Sequence, residues 1–162
     1  MSKHKPPVTM GTRLLDDAGV DYGTHLYKWD KKAGARGAAK QLDVPPEIVI
    51  KSLVFQTCDG DFFMVLMDAT HEVSTKAMAR HLGVKSVEPA DVNKAQSLTG
   101  YLVGGISPFG TRRKLPVYIE RALLSHPVVY INIGHRGFLV SLPPSEIERI
   151  LAAQAVDVGI DA

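Results

Sequence analysis

The sequence predicts a single α+β domain, because strand and helix patterns are interspersed without the regular strand–helix–strand rhythm of a parallel sheet. Two pairs of strands are separated by short turns, "CDGD" at 58–61 and "GHRG" at 134–137, which favours antiparallel hairpins. No repeat of fixed period and no linker rich in proline or serine interrupts the chain. We therefore expect residues 1–162 to form one mixed domain.

Five helices are predicted from capping residues and apolar periodicity. Thr9 can cap the first helix, in which Met10, Leu14 and Ala18 share one face, and a glycine follows to end it. Ser74 can cap a second helix, "TKAMARHL" at 75–82. The other three are "AGARGAAKQLD" at 33–43, "DVNKAQSLTG" at 91–100 and, after two prolines, "SEIERILAAQA" at 145–155.

Strands are predicted where β-branched and aromatic residues alternate or form short apolar runs. The segments are "YGTHLYKW" at 22–29, "KSLVFQT" at 51–57, "FFMVLMD" at 62–68, "LPVYIE" at 115–120, "VVYINI" at 128–133 and "FLVSL" at 138–142. The turn between the second and third segments contains Asp59-Gly60, a dipeptide that accepts positive φ in a tight hairpin.

Composition excludes several classes of protein. The chain is 45% hydrophobic and 22% charged, as in ordinary globular proteins, and its apolar runs are far shorter than the roughly 20 residues that span a bilayer. The start of the sequence, "MSKHKPPV", lacks the apolar core of a secretory signal. Cys58 is the single cysteine, which excludes an internal disulfide and fits a reducing compartment. We expect a cytoplasmic protein that does not enter membranes.

Templates for metal or nucleophilic catalysis are missing. The histidines are scattered and there is no Cys-x-x-Cys pair, so we expect no metal and no cofactor. Ser107 lies in "GGISP", which is not the nucleophile-elbow pattern, and no lysine follows the glycines as in a phosphate-binding loop. Cys58 has acids at 59 and 61, which disfavour its thiolate.

Two features remain as candidates for chemistry. Lys51 begins an apolar strand, where a lysine facing the core would be costly; the alternative is a side chain that points outward or snorkels. Gly104-Gly105, followed by Ser107-Pro108, would let backbone N–H groups approach a ligand closely; the alternative is a plain surface loop. The residue pattern alone favours the alternative in both cases.

In their order and spacing, four stretches resemble the YbaK family of free-standing aminoacyl-tRNA editing deacylases. They are "IVIKSLVF" at 48–55, "MVLMDATHEVSTKAMARHLGVKSVEPAD" at 64–91, "TGYLVGGISPFGTRRKLP" at 99–116 and "VYINIGHRG" at 129–137. The resemblance implies a mixed, partly barrel-like sheet surrounded by helices, with a small pocket beside the glycines. It also implies a hydrolase or lyase without metal or protein nucleophile, in which the thiol of a mischarged cysteine attacks its own ester on tRNA(Pro).

The resemblance assigns roles to individual positions. Lys51 matches the essential lysine of the family, and Gly104 and Gly105 match the glycines whose backbone lines the carbonyl pocket. Tyr27, Ser107, Asn132 and Leu139 are the expected substrate-binding residues. Asn132 stands where relatives often have serine and Leu139 where some have aspartate, and these two departures bear on which amino acid is accepted.

Positive charge is concentrated in two segments although the net charge is only +2. Charge alone leaves two interpretations, solvated faces of unrelated elements or a surface that neutralises phosphates. With the resemblance, we expect aminoacyl-tRNA as the partner, prolyl-tRNA synthetase as a further one, and these tRNA-binding residues: Lys28, Lys31, Lys32, Arg112, Arg113 and Lys114. The alternatives kept open are a deacylase that uses water to remove alanine or serine, and a non-catalytic module that binds tRNA, a synthetase or a small molecule.

Overall fold

The computed structural model describes residues 6–162 and confirms the mixed α+β class. The helices are α1 Met10–Asp17, α2 Gly34–Leu42, α3 Thr75–Leu82, α4 Val92–Thr99 and α5 Pro144–Leu151. The strands are β1 Gly23–Leu26, β2 Ile50–Thr57, β3 Phe62–Asp68, β4 His71–Val73, β5 Val87–Pro89, β6 Val117–Glu120, β7 Val129–Asn132, β8 Phe138–Leu142, β9 Gln154–Val156 and β10 Gly159–Asp161. Short 3₁₀ turns occupy Pro46–Ile48 and Arg121–Ser125. None of the helices in this described part of the chain is long and apolar enough to span a membrane.

The strands form three sheets. A five-stranded sheet has the order β5-β2-β3-β6-β9, with β2 antiparallel to β3 and β5, and β6 parallel to β3 and β9. An antiparallel sheet has the order β1-β8-β7, and β4 pairs with β10. A parallel bridge between Val49 and Tyr130 links the two larger sheets, yet within residues 6–162 the strands do not close into a barrel.

The predicted caps are present. The Thr9 side chain accepts a hydrogen bond from the Thr12 N–H, and Ser74 and Asp91 cap α3 and α4 in the same way. The predicted face of α1 is only partly confirmed: Leu14 and Ala18 pack against the main core, but Met10 is 60% exposed and the fully buried residue is Leu15. The cause is the close approach of Gly11 to Ile133, which turns that side of the helix inward.

The C-terminal region also differs from the prediction. Instead of continuing to residue 155, α5 ends at Leu151, because Ala152 adopts a left-handed conformation with φ of 51°. The following residues form β9 at the edge of the large sheet and β10 against β4. These short strands and β4 were not predicted.

Strand β2 is the element that positions the site. On one face Ile50 and Val54 pack into the main core, and on the other Phe55 packs into a second core. Strand β5 pairs only with Phe55, Gln56 and Thr57, so it leaves the first half of this edge of β2 uncovered. A cavity lies along that open edge.

Candidate active site

The cavity has a volume of about 570 Å³ and is bounded by β2, α2, the segment around residues 103–106, and strands β7 and β8. Most of its wall is apolar, so the polar groups that reach it are few. Six of the residues expected to form the site line this one cavity: Tyr27, Lys31, Lys51, Gly104, Asn132 and Leu139.

Lys51 is partly buried, and its ammonium is held by the main chain of a different strand. Its Nζ donates a hydrogen bond of 2.5 Å to the backbone oxygen of His71 in β4. Burial lowers the pKa of Lys51, and Arg36 adds to this effect, whereas the charges of Glu72 and Asp68 oppose it. The lysine side chain therefore forms part of the cavity lining, and its ammonium is hydrogen-bonded within the protein.

A hydrogen-bonded turn fixes the oxygen that holds Lys51. Asp68 accepts hydrogen bonds from the backbone N–H and the hydroxyl of Thr70, and it pairs with the His71 ring at 3.0 Å. Burial of Asp68 opposes ionisation, but the bonds from Thr70 and His71 outweigh it and lower the pKa of this carboxyl. The same bond from Asp68 raises the pKa of His71.

The glycine loop, residues 100–110, is tied to the rest of the molecule by three side chains. Gln96 accepts from the Val103 N–H at 3.0 Å, and the Nε of Arg136 donates to the Val103 oxygen at 2.8 Å. Asn132 donates from Nδ2 to the Gly104 oxygen at 3.0 Å. The loop is therefore a fixed wall of the cavity, and its carbonyl groups are already engaged where it meets these side chains.

The two glycines of the loop have different environments. The N–H of Gly105 bonds to the Leu102 oxygen at 2.9 Å, and the residue packs against the backbone of His135 and Arg136. By contrast, the N–H groups of Gly104 and Ile106, both in the cavity lining, have no acceptor among residues 6–162. These two unpaired N–H groups are the ones that we consider as donors to a ligand oxygen.

Gly104 requires the absence of a side chain. Its φ of +97° is unfavourable for other residues, and a Cβ there would lie 2.6 Å from Nε1 of Trp29. Trp29 itself lines the cavity, and the guanidinium carbon of Arg136 lies 4.1 Å from the centroid of its ring. An aromatic and cationic pair therefore borders the glycine loop.

Strands β7 and β8 contribute two of the expected substrate-binding residues to the cavity lining. Asn132 and Leu139 are directly paired across β7 and β8, and Leu139 is 1% exposed. Leu139 packs in a cluster with Ala38 and Val49, which makes this part of the cavity apolar. Burial raises the pKa of Tyr27, an effect that the nearby amide of Asn132 and the backbone of Gly137 oppose.

The remaining predicted residues lie outside the cavity lining. Ser107 is fully buried, and its Oγ accepts a hydrogen bond from the Phe109 N–H. Lys28 and Lys32 are exposed in the segment between β1 and α2. The basic run that follows the glycine loop, Arg112, Arg113 and Lys114, is also exposed, so the three side chains are free to meet a large ligand.

Neither Ser52 nor Cys58 is activated as a nucleophile. Ser52 lines it, but its Oγ is buried and has no hydrogen-bond partner, so no base can take its proton. Cys58 is exposed in the β2–β3 turn, outside the lining. Residues 6–162 contain no group of His, Cys, Asp or Glu side chains arranged to hold a metal ion.

Comparison with known proteins identifies the family of the chain. The family model of the aminoacyl-tRNA editing domain matches residues 31–150. The chain belongs to this family. An Enterococcus faecalis protein named "Putative Cys-tRNA(Pro)/Cys-tRNA(Cys) deacylase EbsC" is 23% identical over 151 residues, which are 93% of this chain and 92% of that protein.

Two further similarities concern prolyl-tRNA synthetases. A "Proline--tRNA ligase" of Listeria innocua is 34% identical over 82 residues, 51% of this chain but only 14% of that enzyme. A solved structure described as "a putative trans-editing enzyme for prolyl tRNA synthetase" superposes with a TM-score of 0.79 at 23% identity, covering 95% of this chain and 99% of that one. The second similarity establishes that the editing domain and this chain share their fold.

Sequence reasoning missed three residues that shape the site: Trp29, Gln96 and Arg136. Trp29 is the single tryptophan of the chain and stands among three lysines, which is a signal that could have been used. Gln96 and Arg136 act through contacts with Val103 that sequence spacing does not indicate.

Proposed function

We propose that this protein is an aminoacyl-tRNA deacylase that acts in trans, with cysteine attached to tRNA(Pro) as its preferred substrate. The observation that carries the proposal is that Lys51, Gly104 and Ile106 line one cavity, and that the N–H groups of Gly104 and Ile106 have no acceptor among residues 6–162. Membership of the editing-domain family supports the substrate class.

Each polar group has a role in this proposal. The ester carbonyl oxygen accepts hydrogen bonds from the N–H groups of Gly104 and Ile106, which stabilise the negative charge that develops during attack. The Lys51 ammonium adds positive charge, either to that oxygen or to the terminal phosphate of the tRNA. Removing one such donor lowers kcat by about 100- to 1,000-fold in other acyl-transfer enzymes.

The nucleophile in this proposal comes from the substrate. The cysteine sulfur attacks the carbonyl carbon of its own ester, a C–S bond forms, and the C–O bond to the ribose breaks. The ribose oxygen takes the proton that the thiol gives up, so the products are a thiolactone and free tRNA. The unpartnered Ser52 hydroxyl and the remote Cys58 fit a site in which the protein supplies orientation and electrostatics.

The lining around Leu139 favours cysteine over serine. Ala38, Val49 and Leu139 offer no hydrogen-bond partner from their side chains, and an unpaired hydroxyl buried there costs about 1–3 kcal/mol. A thiol behaves more like a small apolar group and loses less on burial. Alanine would be accommodated, but it provides no nucleophile, so its removal would require water.

We propose that the protein recognises the body of the tRNA through contacts with its phosphate backbone. Arg112, Arg113 and Lys114 beyond the glycine loop, together with Lys28, Lys31 and Lys32 beside Trp29, would neutralise phosphates. Such contacts carry no sequence information, so we propose that prolyl-tRNA synthetase or another synthetase presents the correct tRNA.

The test measures deacylation of tRNAs charged with cysteine, alanine, serine or proline, and identifies the product that is released from each. We expect loss of cysteine with release of the thiolactone, and a fall of about 100-fold or more in Lys51→Ala. Cys58→Ser is the matched control and should react like the parent protein. Release of alanine or serine from its tRNA would indicate that water is the nucleophile. No activity on any of the four charged tRNAs would reject the deacylase.

A further inference from the structure

Trp29 occupies an unusual position for the single tryptophan of a chain. It lies between β1 and α2, is partly buried, and lines the cavity. Three basic residues, Lys28, Lys31 and Lys32, stand close to it in the sequence, together with the acidic Asp30. A tryptophan ring that lines a cavity beside basic residues is suited to stack on a planar ligand.

Two contacts hold the indole in place. One edge of the indole stands against Gly104, and a Cβ on that glycine would lie within 2.9 Å of three indole atoms. The guanidinium of Arg136 lies over the ring at 4.1 Å and is itself tied to the Val103 oxygen through Nε. The pair is therefore preorganised against the same loop that offers the free N–H groups.

The chemistry of an aminoacyl ester determines what must lie beside that loop. The ester oxygen belongs to the ribose that carries the terminal base, so the base lies within one sugar of the carbonyl. If the carbonyl binds at Gly104, the base is within reach of Trp29, whose ring stands against that glycine. Unpaired bases are bound by stacking on aromatic rings and on guanidinium planes.

We propose that Trp29 and Arg136 form a stacking platform for an unpaired nucleobase at the 3′ end of the tRNA. The identity of the ligand rests on the proposed function, whereas the test of the platform does not depend on that function. Lys31, which also lines the cavity, is placed to meet the adjoining phosphate. The platform fixes the ester over the Gly104 N–H without reading the sequence of the tRNA body.

The first experiment uses the fluorescence of Trp29 in the intact protein, since no other tryptophan contributes. The uncharged trinucleotide CpCpA is titrated at low salt, alongside an analogue with the same sugars and phosphates but no bases. We expect saturable quenching by CpCpA and an affinity at least about 5-fold weaker for the abasic analogue. Equal binding of the two, or no quenching by either, would overturn the platform.

Arg136→Lys refines this titration because lysine retains the charge but lacks the planar group. We expect several-fold weaker binding of CpCpA by this variant and little change for the abasic analogue. The titration does not depend on turnover, so it distinguishes the two proposals. Quenching by CpCpA in a protein without deacylase activity would keep the platform and reject the enzyme.

The second experiment separates stacking from support of the glycine loop. Trp29→Ala and Trp29→Phe are compared on cysteinyl-tRNA and on cysteine methyl ester, which has no nucleotide. We expect Trp29→Ala to raise KM for the tRNA by roughly 5- to 100-fold, with a much smaller loss in kcat/KM on the methyl ester, and Trp29→Phe to recover most of the affinity. Equal losses on both substrates would assign Trp29 to holding the loop and overturn the platform.

Discussion

Lys51 is held by a neutral main-chain oxygen rather than by a carboxylate. No carboxylate of residues 6–162 lies within 4.0 Å of its Nζ, although Glu72 and Asp68 are close enough to influence its pKa. An ammonium has three N–H donors, and His71 takes only one of them. Its positive charge therefore remains available to an anionic ligand, whereas an ion pair would have cancelled it.

At Gly104, a single added methyl group would disturb both the loop and Trp29. We expect Gly104→Ala to lose most deacylation and to change the emission of Trp29, because its Cβ meets the indole at a φ of +97°. Gly60→Ala is a matched control, since Gly60 also has a positive φ of +88° but no atom within 4 Å of an added Cβ.

Both alanine variants should lose about 1 kcal/mol or more of unfolding free energy in urea because of backbone strain. Only Gly104→Ala should lose activity beyond what that destabilisation explains. If the two variants kept equal activity, the contact between Gly104 and Trp29 would have no role in the reaction.

Sequence reasoning identified the polar residues of the site more readily than their partners. Lys51 and Gly104 stand in recognisable local motifs. The acceptor for Lys51 lies 20 residues away in β4, and the Asn132 bond to Gly104 spans 28 residues. Such contacts depend on how the strands are arranged, and local sequence patterns carry no information about that arrangement.

Strand β4 connects the site to the far end of the chain. It supplies the His71 oxygen for Lys51 and pairs along its length with β10, whose Asp161 carboxylate lies 3.7 Å from Nε2 of His71. Glu120 anchors the start of β10 by accepting from the N–H groups of Val158 and Gly159 at 2.8 Å. A three-residue strand is thus kept in register by charged groups on both sides.

The pH dependence of the unfolding free energy should reveal the pair formed by His71 and Asp68. Because the pKa of His71 is raised, its contribution to the unfolding free energy is complete below the pKa of an unfolded histidine. That contribution is lost as pH rises through the pKa of the native state. The lowered pKa of Asp68 means that its contribution is present above the pKa of an unfolded carboxyl and is lost as pH falls through the native value.

We therefore expect urea unfolding to show higher stability at about pH 5.5 than at about pH 8.5 from this pair alone. In His71→Gln this difference between the two pH values should shrink, because the titrating partner is gone. An unchanged difference would mean that other groups control it. The effect should be modest because His71 is 40% exposed and solvent screens the pair.

Elements with strong patterns were predicted well and the shortest ones were missed. The β2–β3 hairpin and the capped helices α3 and α4 carry several agreeing signals. Strands β4, β9 and β10 have three residues each, too few to show an alternation. The end of α5 depends on Ala152 in a left-handed conformation, which favours glycine and is not expected of alanine.

On the scale of the whole molecule, the exposed basic run provides three of the six residues of the proposed tRNA surface. The alanine triple variant of Arg112, Arg113 and Lys114 should weaken tRNA binding and flatten its salt dependence, by about 0.9 in the log–log slope for each phosphate that the protein no longer neutralises. A control triple variant at three exposed cations outside the cavity lining, Lys76, Arg80 and Lys85, should leave the slope unchanged.

Equal slopes in the parent and the Arg112, Arg113 and Lys114 variant would exclude that surface from tRNA binding. Filter binding of uncharged tRNA across a salt series is sufficient, so the measurement does not depend on catalysis.

The fold class was predictable for the whole chain, whereas the arrangement of its sheets was not. Interspersed helices and hairpins correctly indicated a mixed α+β protein. The parallel pairing of β6 with β3 and β9, and the bridge from Val49 to Tyr130, arise from contacts between distant segments. The short pairing of β5 with β2 likewise leaves half of that edge of β2 open, and the cavity lies along it.

The direct pairing of Asn132 with Leu139 couples the effects of changes at these two positions. Asn132 is hydrogen-bonded to Gly104 of the glycine loop, and Leu139 forms part of the apolar wall beside it. The effect of a substitution at one of these positions should therefore depend on which residue occupies the other. A carboxylate introduced first at 139 would enter an apolar cluster. A serine introduced first at 132 would bring a shorter side chain to the loop. Evolutionary paths between substrate preferences should therefore be epistatic here, with the order of the two steps determining which lineages remain functional.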